Sequence, residues 1–156
     1  MIDETDAIVV TRVATAEDAD TVLRMMTAFN QDEGIDITPE KMAAGVATLM
    51  ADPAIGGVVL AEVGGVPAGY GLYSYAFDIE FGGRLGFLNE LFVVQWRRNK
   101  GIGKVLLAAV EARLVEGGAH AVELLVRREN GGAQSLYRRH DYHFDPRLFM
   151  TKPLAR

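Results

Sequence analysis

Cysteine is absent from this chain, which excludes disulfides, thiolate metal sites and a cysteine nucleophile. Histidine is scarce. His120, His140 and His143 are scattered without metal-ligand spacing, so packing or surface roles are expected for them and no metal is. No apolar run approaches the ~20 residues that a membrane-spanning helix needs. The N-terminus, MIDETDAIVV, is acidic and lacks the basic-plus-apolar pattern of a secretory signal. No membrane partner is expected, and the cytoplasm is the expected compartment. An excess of positive charge is also missing. The net charge of −5 argues against nucleic acid as a main partner and leans slightly toward a cationic one. There is no internal repeat, linker or low-complexity segment either.

What is present is the composition of an ordinary soluble globular protein, 49% hydrophobic and 24% charged. A length of 156 residues predicts a single domain over residues 1 to 156, with a proper core and no room for a second enzyme domain. The organising stretch is LGFLNELFVVQWRRNKGIGKVLL, from Leu85 to Leu107. Residues 85 to 93 are mostly apolar, as in a strand covered on both faces. From Ile102 the spacing turns helical, with Val105, Leu106, Ala109, Val110 and Leu114 on one side. Between them lies the turn Arg97-Arg98-Asn99-Lys100-Gly101-Ile102-Gly103. Such a turn aims free backbone N–H groups and the positive end of a helix dipole at one point. Gly101 and Gly103 admit a ligand close to the backbone, and Arg97, Arg98, Lys100 and Lys104 surround the point with positive charge. The chemistry reads as a pyrophosphate cradle; the alternative is a basic helix N-terminus on a solvated surface.

Elsewhere the chain alternates regularly. Residues 7 to 13 read as a first strand, and Thr15 with Asp18 as a capping-box variant before a helix over residues 16 to 29. Thr38 caps a second helix that has Pro39 at its first position. The acidic turn before it, Gln31 to Asp36, is either a wall that greets a cation or a solvated loop. Residues 57 to 63 and 66 to 75 form a hairpin about Gly64-Gly65. Gly69 and Gly71 suggest a bulge or a close backbone approach, and the aromatics Tyr70, Tyr73, Tyr75 and Phe77 divide between core and pocket lining. Gly117-Gly118 stops the central helix. Residues 119 to 126 then make a strand parallel to the central one. A short helix over about residues 132 to 140 and one or two closing strands within residues 142 to 152 complete the order.

Two cradle motifs fail on this turn. A P-loop needs a hydroxyl after its lysine, and Lys104 is followed by Val105. A dinucleotide fingerprint needs a third glycine where Leu106 stands, although Glu123 lies at a suitable distance for a ribose contact. Arg98-x-x-Gly101-x-Gly103 instead resembles the Arg/Gln-x-x-Gly-x-Gly/Ala signature of the GNAT family of acyl-CoA N-acyltransferases. A second segment strengthens the likeness. Asn130, Ala133, Leu136, Tyr137 and Tyr142 match the family's Asn-x-x-Ala-x-x-Leu-Tyr-x-x-x-Gly-Phe, at the right point in the strand–helix–strand order. One departure is Asp141, which replaces the family glycine and tolerates a left-handed backbone better than most residues.

The resemblance spans nearly the whole chain. It implies an α/β three-layer fold: a mixed sheet of about six to seven strands, a splayed parallel pair formed by strands 4 and 5, and about four helices. It further implies that acetyl-CoA, as co-substrate, lies between the splayed strands. Its pyrophosphate would meet the turn at Arg98, Asn99, Lys100, Gly101, Ile102, Gly103 and Lys104, and its pantetheine amides the backbone of Phe92 and Val93. A backbone N–H there would polarise the thioester carbonyl. Asn130 would contact the CoA arm, and Tyr137 would protonate the departing thiolate. A phenol of pKa ~10 suits that leaving group, whereas the other reading of Tyr137 is a core residue on an amphipathic helix. Glu90 reads either as the base that deprotonates the amine acceptor or as a structural hydrogen-bond acceptor.

Residues Tyr73 to Val93 are similar to the diamine and polyamine branch of the family, but Asn89 and Glu90 stand where that branch has glutamate and aspartate, which weakens polyamine specificity. The expected activity is direct transfer of acetyl from acetyl-CoA to a primary amine, of a small molecule or a peptide. The alternatives are a longer acyl donor and a non-catalytic acyl-CoA sensor. A homodimer is expected from family habit.

Overall fold

Val, Ile and Leu runs broken by Gly-rich turns dictate the sheet. A computed structural model describes residues 8–154, in two units that divide at Leu125 and Val126. The first unit holds strands β1 (Val9–Val13), β2 (Gly56–Val63), β3 (Val66–Asp78), β4 (Gly83–Val93) and β5 (Ala121–Leu124). It also holds helices α1 (Ala19–Glu33), α2 (Pro39–Ala51) and α3 (Ile102–Glu116). The strands form one sheet in sequence order. All neighbours are antiparallel except β4 and β5, joined through α3, which are parallel. The expected parallel pair is therefore present.

Side chains alternate across a strand, so the residues of β3 sort the helices into layers. Tyr70 packs with Val22, Met25 and Met26 of α1 and Val46 of α2. Its neighbours face the other way. A Cβ placed on Gly71 would come within 2.5 Å of Val110 Cγ2 in α3, and one on Gly69 would come to 3.0 Å from Leu106. The two glycines thus admit α3 onto the sheet, where Leu106, Leu107, Val110 and Leu114 are wholly buried. Each such side chain contributes roughly 1.5–3 kcal/mol by leaving water. The result is three layers: α1 and α2, the sheet, and α3.

Local signals act as expected at several ends. Thr38 Oγ1 accepts the Lys41 N–H at 3.3 Å, with Pro39 opening α2. The Asp18 carboxylate accepts the Thr15 N–H at 2.8 Å, and a short 3-10 turn (Ala16–Asp18) precedes α1. Gly118, at φ 82°, terminates α3. Tyr75 reinforces that end by donating to the Arg113 carbonyl, and Arg84 stacks on its ring at 3.8 Å.

Two expectations need correction. The sheet has five strands among the described residues, not six to seven. The shortfall lies in the second unit, where residues 143–154 form no strand. Phe144, Leu148, Phe149 and Met150 made that tail look like strand, yet all four are exposed and lack the buried face that stabilises one. The first strand begins at Val9, and residue 7, expected to open it, lies outside the described residues. The second unit contains α4 (Gly131–Arg138). No helix among the described residues is long and apolar enough to cross a membrane.

Candidate active site

The chemistry of β4 begins with an irregularity. Leu72 pairs with Glu90 and Tyr73 with Leu88, so Asn89 is an extra residue bulged out of the ladder. Ser74, on the α1/α2 side of β3, donates from Oγ to Asn89 Oδ1 at 2.8 Å. Tyr70, on the same side, donates from Oη to Glu90 Oε2 at 2.6 Å. Two consecutive side chains, an amide and a carboxylate, therefore share one face of the sheet. A regular strand would send them to opposite faces.

Glu90 is half-buried, while Tyr70 is shielded completely. Burial raises the Glu90 carboxyl above its ordinary value, and the hydrogen bond from Tyr70 opposes that shift. Tyr70 is itself pushed far up, first by burial and then by the charge and hydrogen bond of Glu90, so it stays a donor. Its ring is wedged between Phe92 at 5.8 Å and Phe29 at 6.5 Å. Glu90 is thus a carboxylate in an apolar, partly covered setting, with one oxygen engaged.

Beyond Glu90, β4 outruns its parallel partner. The β4–β5 ladder ends at Leu88 and Leu124, so Phe92 and Val93 have β3 on one side and no β5 residue on the other. The chain then passes through a 3-10 turn (Gln95–Arg97) into the basic loop. Asn99 at φ 59° and Gly101 at φ 79° are both left-handed, a conformation that asparagine and glycine tolerate best. Gly101 is the N-cap of α3, and no side chain caps that end. The first N–H groups of α3, from Ile102, Gly103 and Lys104, have no intrahelical acceptors by position. They emerge where the dipole of a fifteen-residue helix is positive. Uncapped donors on a left-handed turn fit an anion such as a pyrophosphate.

The arginines of this loop are oriented in a way the sequence did not announce. Arg98 donates from Nε to the Val93 carbonyl at 2.8 Å and from Nη2 to Asp32 Oδ2 at 2.7 Å, and its guanidinium lies 5.5 Å from the Phe92 ring centre. Arg97 stacks on Trp96 at 4.6 Å. Lys100 and Lys104 are exposed. What this loop offers an anion is therefore chiefly backbone. In the acidic turn that could greet a cation, Asp32 is joined to Arg98.

In the second unit, Asn130 caps α4, its Oδ1 accepting the Ala133 N–H at 3.1 Å. Tyr137 is buried on that helix, its ring 5.7 Å from Tyr142. Asp141 takes the left-handed conformation at φ 64°, and the Tyr142 N–H bonds back to the Tyr137 carbonyl at 3.1 Å. The substituted glycine position works as a helix stop. Sequence reasoning singled out Glu90 and the turn but missed the Asn89 bulge and the Tyr70–Glu90 bond. A bulge leaves no mark in composition. Tyr70 carried only the aromatic signal of its strand.

Comparison with known proteins agrees with this architecture. Over 88 residues the chain is 33% identical to YhfO of Bacillus subtilis (strain 168), described as an uncharacterized N-acetyltransferase; the match covers 56% of this chain and 59% of that protein. Among solved structures, an integron cassette protein from the mobile metagenome of Cole Harbour Salt Marsh superposes with a TM-score of 0.82 at 25% identity, covering 94% of this chain and 91% of that one. An aminoglycoside N-acetyltransferase, AAC(6')-Iy in complex with CoA, shares the fold with a TM-score of 0.84 at 15% identity, over 99% of this chain and 100% of that one. The model of the acetyltransferase (GNAT) family matches residues 19–142, and the chain belongs to that family.

Proposed function

We propose that this protein transfers an acetyl group directly from acetyl-CoA to a primary amine, within one domain over residues 1–156. The observation that carries the reading is the course of β4. It leaves its parallel partner at Leu88, bears Glu90 just beyond, and leads through a left-handed turn to the uncapped end of α3. Acetyl-CoA supplies the activated thioester. The chain's own groups do the rest.

The N–H groups of Ile102, Gly103 and Lys104, with the turn at Arg98, Asn99, Lys100 and Gly101, bind the pyrophosphate. The edge of β4 at Phe92 and Val93, beyond the end of the β5 ladder, takes the pantetheine arm as an added strand. Glu90 accepts the proton that the ammonium of the acceptor must lose before it can attack. A carboxyl raised by burial holds that proton better than a solvated one does. Asn130 and Tyr137 take the roles their motif has in the family, contact with the CoA arm and protonation of the leaving thiolate. With no cysteine in the chain, no acyl-cysteine intermediate forms.

CoA-thiol release from acetyl-CoA tests the proposal against diamines, polyamines, amino acids, aminoglycosides and lysine peptides. Turnover with one amine class is the expected result and assigns the acceptor. Absence of turnover with every amine, while calorimetry shows CoA binding intact, would replace the reading with a protein acceptor or a non-catalytic acyl-CoA sensor.

A further inference from the structure

The bond between Tyr70 and Glu90 has more content than packing requires. Tyr70 faces Phe92 directly across the ladder, and Glu90 faces Leu72, so the hydroxyl reaches the carboxylate along the diagonal between the two strands. The 2.6 Å separation is that of a short, charge-assisted bond. The ring cannot swing away. Phe29 meets it edge-on at 67°, Phe92 lies against it at 39°, and the residue is fully buried. A phenylalanine would serve the packing alone; the hydroxyl serves Glu90.

We propose that Tyr70 is a positioning residue for acetyl transfer: it fixes Glu90 through Oε2, so that Oε1 is the oxygen that takes the proton from the acceptor's ammonium nitrogen. This rests on the reading of Glu90 as the base. The proton passes from nitrogen to Oε1, and the nitrogen lone pair is freed to attack. Tyr70 keeps its own proton, since burial and the adjacent carboxylate hold the phenol well above its usual range.

Among the described residues, Tyr70 is the side chain hydrogen-bonded to Glu90. Asp32 of α1 is paired with Arg98. Glu33 ends α1, Glu40 and Lys41 begin α2, and Glu123 of β5 stands opposite Phe87. Lys104, Glu111 and Arg113 belong to α3, on the opposite face of the sheet. Burial and Tyr70 are the two causes that move the Glu90 carboxyl.

The test is a pH titration of protein labelled with carbon-13 at the glutamate carboxyls, with the Glu90 signal identified by its loss in Glu90→Gln. In Tyr70→Phe, Glu90 is expected to titrate at higher pH than in the wild type, because burial then acts without the donor that opposes it. The kcat is expected to fall about ten-fold while the KM for acetyl-CoA stays within about two-fold. An unchanged Glu90 titration overturns the proposal whatever happens to kcat, since loosened packing alone can lower a rate. Phe29→Leu is the comparison, because it loosens the same cluster, keeps the hydroxyl and is expected to leave the titration in place. If Tyr70→Phe does not fold, Glu90→Asp withdraws the carboxylate from Tyr70 and is expected to lower kcat by a similar factor; wild-type kcat there overturns the proposal. Wild-type turnover in Glu90→Gln would instead sink the reading of Glu90 as base, a failure distinct from a failure of Tyr70.

Discussion

Arg98 and Asp32 are joined at 2.7 Å, which ties the end of α1 to the loop that leads into α3. The arginine also holds the Val93 carbonyl, at the last residue of β4. One side chain therefore fixes the strand end and the cradle relative to the helix beside them. Both partners are about half exposed, so the ion pair itself is worth only about 0–1 kcal/mol. Arg98→Ala is expected to lower stability by no more than ~1 kcal/mol and to raise the KM for acetyl-CoA several-fold. Asp32→Ala removes the tether but leaves the charge, and is expected to leave that KM within about two-fold. Urea melts and initial rates on both variants check this. An equal rise in KM in both would make Arg98 a clamp alone.

Gly103 lies at the start of α3, where the uncapped N–H groups emerge. Gly103→Glu adds bulk and negative charge at that point. Binding of CoA is expected to weaken by about a hundred-fold or more, with the melting temperature nearly unchanged, because glutamate suits the first turn of a helix. Calorimetry against CoA reads the outcome; wild-type affinity would move the pyrophosphate site elsewhere.

Tyr137→Phe keeps the ring that stacks on Tyr142 and removes only the hydroxyl. Turnover is expected to fall about ten-fold or more while CoA affinity is retained. Single-turnover kinetics beside calorimetry separate the two effects. An unchanged rate would remove Tyr137 from the reaction.

Glu90 gives a pH dependence whose sign can be worked out. Its carboxyl is raised in the fold, so the folded state holds the proton more tightly than the unfolded chain does. The contribution of this group is therefore fully present below the unfolded value of ~4.3, and it is lost as pH rises through the folded value. Glu90→Gln stays neutral and still accepts from Tyr70. It is expected to melt above the wild type at pH 8 and to converge with it near pH 4. Thermal melts across that range decide; a variant less stable than wild type at pH 8 would mean that the buried charge is compensated by a partner.

Asp141 holds a left-handed backbone in which glycine is easier. Asp141→Gly is expected to stabilise by about 0.5–1 kcal/mol and to leave turnover within about two-fold. A loss of stability would show that the Asp141 side chain supports the stop in some other way.

Much of the fold could be read from the chain because periodicity and punctuation are local. Pro39 after Thr38, the Gly64-Gly65 turn and the shift to helical spacing at Ile102 each mark an element that the structure contains. The tail misled because hydrophobicity was taken for burial: Met150 is apolar, yet 93% exposed. At the candidate site the residue types were legible and their partners were not. Asp32 and Arg98 lie 66 positions apart, and no pattern along the chain says that they meet. The same holds for Tyr70 and Glu90, whose pairing depends on the register between β3 and β4.

The extra residue in β4 has a consequence for how such a surface can change over time. Before Asn89 the strand keeps one phase, with Gly86 and Leu88 toward α3; after it the phase is reversed, with Leu91 toward α3 and Phe92 away. No point substitution restores a single phase, because phase is counted in residues and not written in their identities. Substitution at positions 89 and 90 therefore varies two adjacent side chains on one face while the strand beneath them stays in place. A deletion of one residue would turn one of those side chains to the other face of the sheet. Substitution can vary the pair, and only a change in length can part it.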